Sequence, residues 1–242
     1  MGSLLANAGF HVGKRTYPPD EGNPLGYFED AEVNLANDAL LQPFYDSFTA
    51  RFRRGMTGRP QLAPLQGWLL DLNPRETYAL SMPAHLRTSF ADLFSRQPFA
   101  YKDPRFSFTL PTIISFVPER TVFICIFRHP QHVVASTIKE AQRDAAQRGW
   151  DVNLPISYCY RMWEAHYRCI LAAYDALRFS CMFISYESLI VRKRLSAISE
   201  LVGATLDAAL IRPELNRAVR HSDVEAPESS EFLFSRLKRL SS

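Results

Sequence analysis

The stretch RTVFICIFRHPQHVVAS, residues 120–136, decides the fold. Its apolar, β-branched part, Thr121–Phe127, predicts a buried strand, and Pro130 opens a helical pattern directly behind it. Such junctions bind anions, because free backbone N–H groups and the helix dipole point at the ligand. Arg128 at the junction adds a planar guanidinium, which can bind a phosphate through two N–H donors. Ser136 adds a hydroxyl about two turns into the helix. The stretch therefore predicts half of a nucleotide-phosphate site.

Strands and helices alternate along most of the chain. The other predicted strands are Phe99–Lys102, Phe179–Tyr186 and a short one at Trp68–Leu72. The predicted helices are the end of a helix at Leu4–Phe10, then Asp30 to about Arg54, Pro83–Ser95, Pro130–Arg148, Pro155–Leu177, Ser188–Val202 and a weak one near Ala208–Arg220. This order predicts an α/β fold with a parallel sheet between helices. We expect one domain over residues 1–242.

The composition argues against several classes of function. With 28 basic and 25 acidic residues, the net charge of +3 is too even to indicate nucleic acid or an anionic membrane surface. The sequence has neither an apolar run long enough for a membrane span nor a signal peptide. The four cysteines lack CxxC spacing, which predicts free thiols, and the six histidines are too scattered to predict a metal site. We expect a cytoplasmic protein without a metal.

Polar side chains stand where three predicted strands end. They are Lys102-Asp103 with Arg105, Arg128 with Ser136, and Tyr186-Glu187. Because the carboxyl ends of parallel strands meet at one edge of a sheet, these residues are predicted to converge on a ligand. Each also has a structural interpretation. Arg128 could cap the sheet edge, and Asp103 could pair with Lys102 or Arg105.

Three further residues have two interpretations each. Tyr186 is placed to stack on a base, although strand-end tyrosines are common in cores. Trp163 shares a helix face with Tyr160 and Tyr167, which favours packing. Glu29 lies ahead of a helix, where an acidic residue serves capping as readily as proton transfer.

These residues resemble the landmarks of one enzyme family. Phe127–Ser136 resembles the 3′-phosphate-binding segment of sulfotransferases that use 3′-phosphoadenosine-5′-phosphosulfate (PAPS). Tyr101–Arg105 resembles the Lys-Asp-Pro strand end of the bacterial and tyrosyl-protein branches, and Asn23–Glu29 resembles the bacterial segment after the first helix. Ile184–Leu189 is similar to the family's Tyr-Glu-Asp-Leu strand end, and Trp163 matches a tryptophan of the preceding helix.

The resemblance implies a P-loop-NTPase-like three-layer fold and a set of cofactor contacts. Arg128 and Ser136 would bind the 3′-phosphate of PAPS, which is the co-substrate. Tyr186 would lie near the adenine, and Trp163 is counted with the cofactor-binding residues. Lys102 would offset the charge that builds on the leaving phosphate.

The resemblance also nominates a general base. Glu29 is the first candidate and Asp103 the second. Pro104 stands where the cytosolic branch has a histidine, which excludes a histidine base of that type. The acceptor would be a hydroxyl or amine of a small molecule, glycan, lipid or peptide. The loop Lys14–Glu29 and the segment Gly55–Pro83 are predicted to shape its pocket.

The sequence departs from the family at its start. Family members begin with a strand and a Gly-, Ser- and Thr-rich loop around the 5′-phosphosulfate, whereas this chain opens at MGSLLANAGF, which aligns with the following helix. We therefore expect the N-terminal strand and loop to be missing. Alternatives are a non-catalytic relative that binds 3′-phosphoadenosine 5′-phosphate or a partner, a kinase-like enzyme acting on ATP, and a purely structural α/β protein. The sequence contains no GxxxxGK[ST] motif, which the hypothesis of a kinase-like enzyme would require for support.

Overall fold

The computed structural model describes residues 1–20, 23–45, 67–148, 154–215 and 225–242. Its helices before the first strand are α1 (Gly2–Asn7), α2 (Ala31–Leu41), α3 (Pro74–Ala79), α4 (Ala84–Ser95) and α5 (Phe106–Ile113). The remaining elements are β1 (Phe123–Phe127), α6 (Pro130–Arg148), α7 (Ile156–Leu177), β2 (Cys181–Ser185), α8 (Tyr186–Ile190), α9 (Leu195–Val202) and α10 (Glu228–Leu240).

The sheet in the described part of the chain consists of β1 and β2, which pair in parallel. This confirms the predicted α/β class with a parallel sheet. The register sets Phe127 opposite Ser185, so the next two residues, Arg128 and Tyr186, leave the sheet side by side. The helix α6 begins two residues after Arg128, as the proline predicted.

The long helix α7 is the centre of the packing. It contacts α3, α5, α6 and α10. One face joins a cluster with residues of both strands, including Phe127, Phe183 and Trp163. Burying side chains of this size contributes about 1.5–3 kcal/mol each. The sheet and α7 therefore form one packed support for the strand ends.

Two predicted strands are wrong. Gly67–Leu69 forms a 3₁₀ turn, and residues 70–73 are irregular rather than extended in a sheet. Phe99–Lys102 forms only a single parallel bridge, between Phe99 and His11. Apolar runs this short indicate burial without distinguishing a strand from a buried loop.

Several predicted helices have different limits. The helix after Asp30 ends at Leu41 and continues as a 3₁₀ turn over Gln42–Phe44, which contains Pro43. Its predicted extension to Arg54 lies outside the described residues. The predicted helix Ser188–Val202 is two helices, separated by a turn in which Arg192 has a φ of 61°.

The C-terminal region also differs from the prediction. The described part of the weak helix near Ala208–Arg220 consists of two 3₁₀ turns, Ala208–Leu210 and Pro213–Leu215. The polar tail contains α10, which was not predicted from the sequence. Two more helices, α3 and α5, were missed as well.

Candidate functional site

Arg128 and Tyr186 meet at the carboxyl edge of the sheet. The guanidinium carbon of Arg128 lies 4.8 Å from the centroid of the Tyr186 ring. The strand register brings these residues together across 58 positions of sequence. Ser136 is exposed on α6, roughly 9 Å of helix rise beyond Pro130. This edge therefore presents a cation and an aromatic ring beside a helix N-terminus.

His129, directly before α6, and His132, in its first turn, face carboxylates from other elements. Nε2 of His129 lies 3.3 Å from Oε1 of Glu231 on α10, and Nδ1 of His132 lies 4.0 Å from Oε1 of Glu187 on α8. Both pairs tie neighbouring helices to the residues that flank Arg128.

Lys102 and Glu29 form an ion pair. The ammonium Nζ of Lys102 lies 2.9 Å from Oε1 of Glu29 and donates a hydrogen bond of 2.9 Å to the carbonyl oxygen of Tyr27. The Lys102 side chain is 50% exposed, whereas that of Glu29 is 15% exposed. The structure thus brings together the predicted first-choice base and the predicted catalytic lysine, with the lysine open to solvent.

The backbone around Glu29 is held on both sides. The preceding residue, Phe28, has a φ of 53°, which is unusual for a bulky side chain. Its turn directs the carbonyl of Tyr27 and the carboxylate of Glu29 at the same ammonium group. The next residue, Asp30, caps α2 by accepting hydrogen bonds from Glu32 N and Val33 N. This capping confirms the predicted start of α2.

The backbone of Thr16 and Tyr17 also contacts this turn. The backbone N–H of Tyr17 donates to the carbonyl of Glu29 at 3.1 Å, beside a bridge between Thr16 and Asp30. Gly13 makes this approach possible, because it has a φ of 126° and a Cβ there would overlap the Asp30 carboxylate. Glu29 is therefore fixed by its own backbone as well as by its partners.

Asp103 is buried, in contrast to its neighbour Lys102. Its Oδ1 accepts hydrogen bonds from the backbone N of Arg105 at 2.9 Å and from Nη1 of Arg105 at 2.8 Å. Its Oδ2 accepts from Nδ2 of Asn37 at 2.9 Å. Burial raises the pKa of Asp103 to about 6. Of its two predicted structural partners, the structure pairs it with Arg105.

The ion pair of Asp103 with Arg105 belongs to a buried polar network that was not predicted from the sequence. Asp38 of α2 lies 3.4 Å from Nε of Arg105 and accepts hydrogen bonds from the Tyr45 hydroxyl and from Gly67 N. Thr109 donates to Oδ1 of Asn37 at 2.7 Å. A signal was present, because Asn37 and Asp38 interrupt the apolar face of α2.

Trp163 lies in the core. It is 2% exposed and packs in the cluster with both strands, with its ring 4.8 Å from that of Tyr167. This position agrees with the packing interpretation of its helix face. Its assignment to cofactor binding stays a prediction.

Arg143 of α6 links this helix to the loop that precedes Glu29. Its Nη2 lies 3.3 Å from Oδ2 of Asp20, and the same oxygen accepts a 2.8 Å hydrogen bond from the Tyr27 hydroxyl. Tyr27 in turn contacts Lys102 through its carbonyl oxygen. The helix that begins behind Arg128 therefore also supports the turn around Lys102.

Comparison with known proteins assigns the family. Residues 26–204 match a family model described as "Sulfotransferase family". This chain belongs to the sulfotransferase family. A search of curated proteins gives no significant match. Among solved structures, the sulfotransferase domain from the curacin biosynthetic pathway matches at 15% identity and a TM-score of 0.43, covering 95% of this chain and 98% of that chain. This likeness is too distant to assign any residue.

The sulfotransferase match contains all seven residues singled out from the sequence. They are Glu29, Lys102, Asp103, Arg128, Ser136, Trp163 and Tyr186. In the parts of the chain that the structure describes, no group of His, Cys, Asp or Glu side chains could hold a metal ion. None of the helices described combines the length and apolar character needed to cross a bilayer.

A partly buried histidine links α7 of this sulfotransferase to α5 and to the 3₁₀ turn at Gly67–Leu69. Nε2 of His166 lies 2.8 Å from the carbonyl oxygen of Trp68, and Nδ1 lies 2.5 Å from Oγ of Ser107. The ring also packs 4.3 Å from that of Phe108. Burial lowers the pKa of His166 from 6.5 to about 4.

We expect His166 to make stability depend on pH. The unfolded chain takes up the proton first, so the contribution of His166 is present above pH 6.5 and is lost as the pH falls towards about 4. The difference in pKa corresponds to about 3 kcal/mol. Asp103 acts in the opposite direction, because its pKa is raised from 3.8 to about 6 and its contribution is lost as the pH rises through that window.

Urea unfolding of the wild type and His166→Phe between pH 4 and 7 isolates this contribution, because both proteins contain Asp103. The wild type should lose about 3 kcal/mol relative to the variant as the pH falls. A difference between the two proteins that does not change with pH would contradict the prediction.

Proposed function

We propose that this member of the sulfotransferase family transfers a sulfuryl group from PAPS to a hydroxyl or amine of its acceptor. The observation that carries the proposal is the Arg128–Tyr186 pair, with the guanidinium carbon 4.8 Å from the ring centroid. A guanidinium suits a phosphate, and an aromatic ring suits the face of a base. This donor set fits a phosphorylated nucleotide. Ser136 supplies a further hydroxyl on α6, the helix that begins two residues after Arg128.

The roles of Lys102 and Glu29 follow from their chemistry. The reaction breaks the S–O bond to the donor's phosphate, forms an S–O or S–N bond to the acceptor and releases the acceptor's proton. Glu29 takes that proton, and Lys102 offsets the negative charge left on the phosphate. Their separation of 2.9 Å supports a shared task at one reacting centre. Much of the catalysis is then positioning and charge stabilisation, as in phosphoryl transfer.

The course of α6 supports a single site that includes both pairs. Arg143 follows Ser136 by seven residues, which is about two turns or roughly 10 Å of rise. Arg143 contacts Asp20, which holds Tyr27 beside Lys102. One helix therefore runs from the proposed phosphate contacts towards the proposed reacting groups.

Calorimetric titration with 3′-phosphoadenosine 5′-phosphate tests the donor. We expect Arg128→Ala to weaken binding by at least roughly 100-fold, because two hydrogen bonds to a charged phosphate contribute about 1.5–3 kcal/mol each. ATP, which lacks the 3′-phosphate, should bind more weakly than 3′-phosphoadenosine 5′-phosphate in the wild type.

Arg120→Ala is the matched control for this titration. Arg120 is an exposed arginine ahead of the amino end of β1, whereas Arg128 follows the carboxyl end. Binding by Arg120→Ala should equal that of the wild type. Equal losses from both substitutions, or no loss from Arg128→Ala, would reject the proposed phosphate contact.

A further inference from the structure

The helix α2 carries two buried asparagines one turn apart, and their hydrogen bonds differ. Asn34 is 3% exposed and Asn37 is 0% exposed. Asn37 is satisfied at both ends, because Nδ2 donates to Asp103 and Oδ1 accepts from Thr109. Asn34 donates from Nδ2 to Oε2 of Glu29 at 3.1 Å, but its buried Oδ1 has no hydrogen-bond partner in the described part of the chain.

An unsatisfied buried amide oxygen is unfavourable for folding. A leucine at position 34 would fill similar space without burying that oxygen, so stability alone does not favour the asparagine. What the amide does provide is a donor for Glu29. Asn34 thus stands at a buried position where, among the described residues, its side-chain amide hydrogen-bonds to the proposed base.

The two oxygens of Glu29 have separate contacts. Oε2 accepts the hydrogen bond from Asn34, and Oε1 faces the ammonium group of Lys102 at 2.9 Å. The positive φ of Phe28 sets the backbone, but the orientation of the carboxylate about its own side-chain torsions depends on these two contacts. Because Lys102 is half exposed, the firm one is the buried asparagine.

We infer that Asn34 is a positioning residue for catalysis: it holds Oε2 of Glu29 so that Oε1 faces Lys102 and the acceptor's proton. This inference rests on the proposed function of Glu29. It makes a distinctive prediction, because removing the amide should lower activity without lowering stability. A merely structural asparagine would show the reverse.

The test compares Asn34→Leu with Asn37→Leu in urea unfolding and in steady-state sulfuryl transfer from PAPS. Asn34→Leu should unfold at the same or a higher urea midpoint, with kcat reduced roughly 10- to 100-fold and an unchanged KM for PAPS. Asn37→Leu should unfold at a lower midpoint, because it leaves Oδ2 of the buried Asp103 without its donor and removes one of the hydrogen bonds of Thr109.

A double-mutant cycle distinguishes positioning from an unrelated effect. In a Glu29→Gln background, Asn34→Leu should lower kcat little further, because its effect passes through the carboxylate. Losses that multiply would overturn the inference, as would an unchanged kcat or a lower urea midpoint in Asn34→Leu alone.

The inference is decided even if the wild-type chain transfers no sulfuryl group, an outcome that would overturn the proposed function. The coupling between Glu29 and Lys102 is then measured from urea midpoints of Glu29→Gln, Lys102→Met and the double variant. The same three variants are then measured in an Asn34→Leu background, where the coupling between Glu29 and Lys102 should fall to half or less. Coupling that survives intact in Asn34→Leu would show that the amide does not position the carboxylate.

Discussion

Glu29→Gln is expected to lower kcat by roughly 10²–10⁴-fold, the usual contribution of a general base. Glutamine retains an oxygen that accepts the hydrogen bond of Asn34, and it has nearly the same size. It cannot take the acceptor's proton. The ion pair with Lys102 is half exposed, so its loss should change stability by less than about 1 kcal/mol. Steady-state transfer from PAPS, alongside urea unfolding, measures both effects.

Glu32→Gln is the matched control. Glu32 lies three residues further along the chain and pairs with Arg96 at 2.8 Å, so this substitution also removes a partly exposed ion pair. It should leave kcat within about twofold of the wild type, because surface-type pairs contribute little. If Glu29→Gln behaves like Glu32→Gln, Glu29 is not the base.

The strand-end residues were predictable because parallel strands obey a simple geometric rule. The pattern of Thr121–Phe127 and Phe179–Tyr186 located both strands to within two residues at each end. The rule predicted that Arg128 and Tyr186 lie at one edge of the sheet, and the observed pairing of β1 with β2 places them side by side. The cap at Asp30 was predictable for a similar reason, since a capping residue acts within its own first turn.

The pairing of Lys102 with Glu29 was only partly predictable. Both residues were singled out, but they are 73 positions apart, and their contact depends on the positive φ of Phe28. Nothing in the residue type of phenylalanine indicates that conformation. The family resemblance nominated the two residues, and the structure supplied their contact of 2.9 Å.

The missed helices show which signals were present and overlooked. Asn73 and Glu76 form a capping box at the start of α3, a pattern visible in the sequence NPRE. In α10, Leu233 and Leu237 recur at helical spacing inside a polar segment. The network around Asp103 was harder to predict, because its hydrogen bond from Asn37 joins residues 66 positions apart and no local pattern specifies it.

Asp103 has two candidate roles: it acts either as the general base or as a structural anchor. Its side chain is fully buried, and the three hydrogen bonds that it accepts within the described part of the chain come from N–H donors of Arg105 and Asn37. An anchor of this kind would hold the backbone from which Lys102 projects. A base would need to reach the acceptor, and the side chain that the structure places beside Lys102 is Glu29. We therefore expect Asp103 to act as the anchor.

Two substitutions of Asp103 distinguish these roles. Asp103→Ala should lower the free energy of unfolding by about 3–5 kcal/mol, because it removes one partner of a buried ion pair with Arg105. Asp103→Asn should cost about 1–2 kcal/mol, because it keeps an oxygen for Arg105 and the Asn37 amide can turn to accept its new N–H. Urea unfolding measures both values.

Activity of Asp103→Asn then settles the assignment of the base. An anchor that still folds should retain kcat within about tenfold of the wild type, well above the roughly 10²–10⁴-fold loss expected for Glu29→Gln. A loss as large as that of Glu29→Gln, in a variant shown to be folded, would make Asp103 the base. Because the two carboxylates differ in their partners, one pair of amide substitutions assigns the proton transfer to one of them.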